Sequence, residues 1–155
     1  HLGYNLKATD MQAAIGCAQL DKFPSFVERR RHNFARLKAA LADCTDKLIL
    51  PEAAPHSNPS WFGFLITCKE GTDRNAVVQY IESKGVQTRM LFAGNLIKHP
   101  CFDQMRAKKS GYRVVGELTN TDRIMQDTFW VGVYPGMSDE MIDYMAATIR
   151  EAINQ

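Results

Sequence analysis

The run SWFGFLITC, residues 60–68, constrains the fold more than any other stretch of this chain. Aromatic and β-branched residues at this density suit the pleated, packed surface of a strand. Its apolar residues are almost continuous, which predicts a strand covered on both faces. Such a strand needs partners beside it and helices above it, and the remaining sequence must supply both.

Two further strands are legible. In VQTRML, residues 86–91, Val86, Thr88 and Met90 share one face, and Gln87 and Arg89 lie on the other. FWVGVYPG, residues 129–136, is a third strand that Pro135-Gly136 ends. Helices separate them. One begins at Thr72-Asp73 and runs to about Lys84, with Val77, Val78 and Ile81 inward and Gly85 as its C-terminal cap. Thr119 and Asp122 have capping-box spacing and start a short helix. Ser138 caps a last helix whose Met141, Met145, Ile149 and Ala152 share a face.

The N-terminal part reads as two helices. Thr9 with Gln12 forms a capping box, and Met11, Ile15 and Ala18 follow at helical spacing. Asp21-Lys22-Phe23-Pro24 predicts a break, with Pro24 in the first turn of a helix reaching about Asp43. Phe23, Val27, Phe34, Leu37 and Leu41 form its apolar face, and Arg29-Arg30-Arg31 reads as a solvated face balanced by nearby acids. A Pro/Ala/Ser-rich loop covers 51–59, and 92–116 is irregular, with Lys108–Gly111 as its expected mobile tip. The sum is an α/β chain, an α+β sandwich with a small sheet of about three or four strands and helices mainly on one side.

Composition narrows the function classes. At 155 residues, 45% hydrophobic and 23% charged, the chain can bury one core. A net charge of +2 gives no electrostatic case for nucleic acid or an anionic membrane. No apolar run approaches the roughly 20 residues of a membrane span. No stretch reads as a signal peptide, so the cytoplasm is the expected location. Cys17, Cys44, Cys68 and Cys101 are widely spaced, which predicts four buried or half-buried thiols and neither a zinc site nor a disulfide framework. The histidines make no metal pattern.

No catalytic set stands out, but three polar groups do. Tyr4, Asn5 and Lys7 precede a helix N-terminus, where free amides and an asparagine suit a phosphate; Asn5 could equally organise the turn. Arg89 ends a strand before LFAGN and can pair with a phosphate or carboxylate, or with a structural acid. Asn95 and His99 sit in the irregular stretch, where sites tend to lie, although a surface histidine before a proline needs no function.

GYNLKATDMQAAIGCAQLDKF, residues 3–23, resembles the motif GYN-x-[RK]-x-TD-x-QAAIG-x-AQL of the DegT/DnrJ/EryC1/StrS family of sugar aminotransferases and dehydrases. PSWFGFLITCKEG, TRMLFAGNLIKHPCF and VVGELTNTDRIMQDTFWVGVYPG are similar to the branch that removes the 3-hydroxyl of CDP-4-keto-6-deoxy-D-glucose, toward the 3,6-dideoxyhexoses of lipopolysaccharide O-antigens. The resemblance covers essentially the whole chain.

It implies a fold-type-I enzyme using pyridoxamine or pyridoxal phosphate (PMP or PLP) with a [2Fe-2S] cluster, a homodimer, a nucleotide-sugar substrate and a reductase partner. The chain would be its small C-terminal domain, 23–155, with 1–22 joining a large domain and "HLGYN" a cut edge. The lysine or histidine that separates aminotransferase from dehydrase, and the cluster cysteines, would lie upstream, so neither catalytic residues nor metal ligands are expected here. Nor is bound cofactor or activity expected of the isolated chain.

By the same resemblance, Asn5 would reach a neighbouring subunit's cofactor phosphate, with Tyr4 at the same mouth. Lys7, Arg89, Phe92, Asn95 and His99 would face the nucleotide-sugar, although His99 departs from the branch's common glutamine. The alternatives are an aminotransferase domain and a non-enzymatic interaction module. On the enzyme readings Met11, Ile15 and Leu20 of the first helix should form an exposed apolar surface.

Overall fold

A computed structural model describes Tyr4 and residues 6–155. The first helix, α1, spans Asp10–Ala40, and Thr9 caps it as expected: its hydroxyl accepts from the Gln12 amide at 3.3 Å, and the Gln12 side chain accepts from the Thr9 amide at 2.9 Å. The expected break at Asp21–Pro24 does not occur, and Pro24 lies inside α1. Proline removes the bond to the Leu20 carbonyl, which ordinarily costs about 3 kcal/mol in a helix interior. Here Leu20 is 69% exposed, so water can reach that carbonyl, and the Ser25 hydroxyl bonds the Lys22 carbonyl at 2.8 Å.

Short β1, Leu48–Ile49, follows; two residues are too few to show a period. Then come β2, Gly63–Cys68; α2, Arg74–Ser83; β3, Thr88–Met90; α3, Asp103–Lys108; α4, Thr119–Asp127; β4, Thr128–Gly132; and α5, Asp139–Ala152. The strands form one antiparallel sheet in the order β1-β2-β4-β3, with Phe64 opposite Val131 and Arg89 opposite Trp130.

β2 alternates between buried and half-buried residues, so it is not covered equally on both faces. Phe64, Ile66 and Cys68 join Phe129, Val131, Leu37, Leu41, Ile81, Ile142 and Ile149 in a single core. The helices over that face are α1, α2 and α5. On the opposite face the Trp130 ring takes the space beside Gly63, where a Cβ would come within 2.7 Å of it.

Polar side chains fix α5 to α1. Arg36 grips Asp143 with two bonds of 2.7 Å, and Arg29 bonds Asp139 at 2.7 Å and the Met137 carbonyl at 2.9 Å. Arg31 turns to the Asn58 carbonyl at 2.7 Å, so the 29–31 run is a half-buried clamp and not the solvated face its charge pattern predicted. Of the four thiols, Cys44 and Cys68 are buried, whereas Cys17 and Cys101 are exposed, contrary to expectation. On α5, Met145, Ile149 and Ala152 face the core, but Met141 is 54% exposed.

The first part of α1 stands away from this body. Met11, Ile15 and Leu20 are each more than half exposed, the apolar surface expected of the first helix; Phe23, expected on the apolar face with Leu37 and Leu41, is 59% exposed as well. Among the described residues, no helix is long and apolar enough to cross a membrane.

Candidate functional site

β3 is an edge strand in which Thr88 is buried and Arg89 exposed, while Met90, expected on the Thr88 face, is exposed at the strand's end. No carboxylate pairs with Arg89 among the described residues. Its guanidinium meets only neutral groups of the two residues before it: the Thr88 carbonyl at 3.3 Å, and the Gln87 side-chain oxygen at 3.0 Å when that amide is turned to face it. A cation held by neutral acceptors on an exposed edge is free to take an anion.

Immediately after β3 the chain turns sharply. The Phe92 amide bonds back to the Met90 carbonyl at 2.7 Å, and Phe92 adopts φ 49°, a left-handed conformation that costs a non-glycine residue about 1–2 kcal/mol. The turn leaves the Phe92 ring 80% exposed. Gly94 follows at φ 61°, and a Cβ there would fall inside the Met125 side chain, so glycine is required on both counts.

Asn95 is directed the other way. It is 3% exposed; its side-chain amide donates to Asp122 Oδ1 at 2.8 Å, and its backbone amide points at Met125 Sδ at 3.3 Å. Lys98 pairs with Asp122 Oδ2 at 2.8 Å. Hydrogen bonds from Lys98 and then Asn95 hold the Asp122 carboxyl below the usual carboxylate range. These long-range partners explain why the expected Thr119/Asp122 capping box does not form: the α4 cap position is Leu118, and Asp122 is engaged elsewhere.

His99 donates from Nε2 to the Ala93 carbonyl, and its own carbonyl accepts from Arg106 at 3.0 Å. A small cavity of about 260 Å³ opens here, lined by Met90, Phe92, Gly94, His99, Arg74 and Met125. Arg74 fastens α2 beneath it through the Gln126 and Met125 carbonyls at 2.7 and 3.2 Å.

Arg89, Phe92, Asn95 and His99 therefore belong to one structured unit, with Arg89 and Phe92 outward and Asn95 and His99 holding the loop. Tyr4 and Lys7 are exposed on the stretch leading into α1, and no hydrogen bond or ion pair joins them to the loop among the described residues. Asn5 lies outside the described residues. The sequence reading missed Asp122, Met125, Arg74 and Arg106 as parts of this unit; Asp122 had a signal, but it read as a helix cap. No group of three or more potential metal ligands occurs among the described residues.

The chain is 54% identical over 153 residues to the lipopolysaccharide biosynthesis protein RfbH of Salmonella typhimurium, covering 97% of this chain and 34% of that protein. It is 48% identical over 155 residues to the dTDP-4-dehydro-2,6-dideoxy-D-glucose 3-dehydratase of Saccharopolyspora spinosa, covering 99% and 32%. The structure of an Escherichia coli GDP-4-keto-6-deoxy-D-mannose-3-dehydratase with bound hydrated PLP superimposes with a TM-score of 0.78 at 28% identity, over 95% of this chain and 36% of that one. The chain thus spans about a third of the length of the curated relatives it matches. Its α+β sandwich is a domain of the PLP-dependent aminotransferase fold. The family profile matches residues 1–150, and the chain belongs to the DegT/DnrJ/EryC1/StrS aminotransferase family.

Proposed function

We propose that this chain is the C-terminal segment of a PMP-dependent nucleotide-sugar 3-dehydrase, and that it forms the substrate-side wall of the active site. The observation that carries the reading is the 48% identity to a 3-dehydratase, sustained over 155 residues that include the Arg89–His99 unit. The nucleotide-sugar is CDP-4-keto-6-deoxy-D-glucose, deoxygenated at C3 toward a dideoxyhexose for lipopolysaccharide. Its parent enzyme is a cytoplasmic homodimer that takes electrons from a reductase through a [2Fe-2S] cluster bound outside this segment. Residues 1–22 join the large domain, and 23–155 form the small one.

The residues present fit the edge of a cofactor site and not its reactive centre. Tyr4 is 85% exposed and Lys7 is exposed, so both side chains can turn toward a phosphate. No catalytic group is assigned to this segment. When bound, PMP supplies an electron sink for a carbanion next to the departing 3-hydroxyl. The segment binds and orients: Arg89 pairs with the diphosphate, Phe92 offers an apolar face to the nucleotide, Asn95 and His99 brace the loop carrying it, and Lys7 completes the anion contacts.

Replacing Arg89 by Met in the full-length protein should raise KM for the nucleotide-sugar at least about tenfold, the scale of one charge-assisted bond. An unchanged KM would remove Arg89 from the site. The second reading, a PLP-dependent aminotransferase, draws on the family's own description. Transfer of an amino group to the sugar would establish it.

A further inference from the structure

We propose that Asp122 of α4 is a positioning residue that sets the Phe92 loop against Arg89. The kinetic part of this proposal rests on the nucleotide-sugar reading above; the structural part does not.

The loop after β3 is held in two ways. Inside it, His99 bonds the Ala93 carbonyl and Arg106 bonds the His99 carbonyl. These bonds keep the segment folded on itself but do not orient it on the sheet. Orientation comes from α4. Asp122 takes Asn95 on one oxygen and Lys98 on the other, both at 2.8 Å, and Met125, one turn later, lies against Gly94 and faces the Asn95 amide at 3.3 Å.

α4 runs directly into β4, Thr128–Gly132, and β4 pairs with β3 so that Trp130 stands opposite Arg89. The Trp130 indole also donates to the Met90 carbonyl at 3.2 Å, the same carbonyl that closes the Phe92 turn. The path from Asp122 through α4 and β4 to Arg89 is therefore continuous regular structure. Asp122 fixes the loop at one end of that path, and Arg89 projects at the other. An exposed aromatic and an unpaired cation can act on one ligand only if their separation is constant, and a two-oxygen clamp on the buried Asn95 and on Lys98 supplies that constancy.

The test uses Asp122→Ala and Asp122→Asn in the full-length protein. Asparagine keeps an acceptor for Asn95 and loses the charge that holds Lys98, so it guards against a misfolded alanine variant. The first readout is amide hydrogen exchange, by peptide. Exchange in 91–99 should rise at least about tenfold in Asp122→Ala and less in Asp122→Asn, with 63–68 of β2 unchanged. The second is kinetics: KM for the nucleotide-sugar should rise about tenfold with kcat within about twofold, because the change lies in ground-state binding.

Unchanged exchange in 91–99, or an equal rise in β2, would overturn the clamp. Faster loop exchange with unchanged KM would overturn the positioning role. If Arg89→Met also leaves KM unchanged, the nucleotide-sugar reading has failed while the exchange result still decides the clamp.

Discussion

Asn33, fully buried on α1, donates its side-chain amide to the main-chain carbonyl of Tyr134, 2.9 Å away beyond the end of β4. It reaches the Met137 carbonyl as well, at 3.4 Å. One side chain thus ties the long helix to the turn between the sheet and α5. Each carbonyl also has another donor, the Met137 amide for Tyr134 and Arg29 for Met137.

Because those carbonyls keep a partner, Asn33→Leu should cost only about 1 kcal/mol of stability. Asn33→Asp has the same shape but sets a buried carboxylate against two carbonyl oxygens, and should cost more than about 3 kcal/mol at neutral pH. Urea unfolding of the two variants measures the difference. Equal losses would show that the amide donors do not matter.

The seam between α1 and α5 should make the fold acid-sensitive. Hydrogen bonds from His32 and then Arg29 hold the Asp139 carboxyl below the usual carboxylate range, and hydrogen bonds from Arg36 and Arg150 do the same for Asp143 and Asp43. A carboxyl depressed in the folded state contributes stability above its unfolded pKa and loses it as pH falls through the folded value. Stability should therefore decline below about pH 4. Asp139→Asn should give a shallower acid limb in urea midpoints taken from pH 6 to pH 2, and an unaltered limb would exclude the seam as its cause.

The thiols should divide into two classes. Burial pushes the Cys68 thiol up to about 11, with Asp127 adding to the shift, and burial also raises Cys44. Thiolate is the reactive form, so native alkylation with iodoacetamide at neutral pH should modify exposed Cys17 and Cys101 and spare Cys44 and Cys68. In the full-length protein Cys17 should become slow as well, because the proposed large domain covers the start of α1. A Cys17 equally fast in both proteins would leave that helix without the cover proposed for it.

Phe92 opposes stability to binding. Phe92→Gly relaxes a left-handed backbone at φ 49° and removes an exposed ring, so the variant should lose no stability and could gain up to about 1 kcal/mol. The same change should weaken nucleotide-sugar binding by about tenfold, the scale of one aromatic contact with a base. Thermal unfolding and a calorimetric titration of the full-length protein check the two halves. A destabilised variant that binds normally would reverse both.

Local signals that act locally were legible. Asp73 accepts from the first amides of α2, Gly85 takes φ 80° at its end, and Ser138 accepts from the Met141 amide to start α5. Thr9 and Gln12 form their capping box for the same reason: no distant group competes for them. Signals decided by tertiary partners misled. Asp122 has cap spacing, but Asn95 and Lys98 claim both its oxygens. Pro24 reads as a break, but the helix passes through it where solvent reaches the freed carbonyl.

The site was legible in part. Arg89 and Phe92 could be picked out by strand period and family motif, and they are exposed as that pattern requires. That Asn95 turns inward could not be read, because nothing in LFAGN records the carboxylate 27 residues later that receives its amide.

The most direct test of the central claim is the visible absorption spectrum of the full-length protein, purified without air. A 3-dehydrase should show a broad iron–sulfur absorption and bind PMP reversibly. A covalently held PLP band without iron would contradict the account and make the protein an aminotransferase.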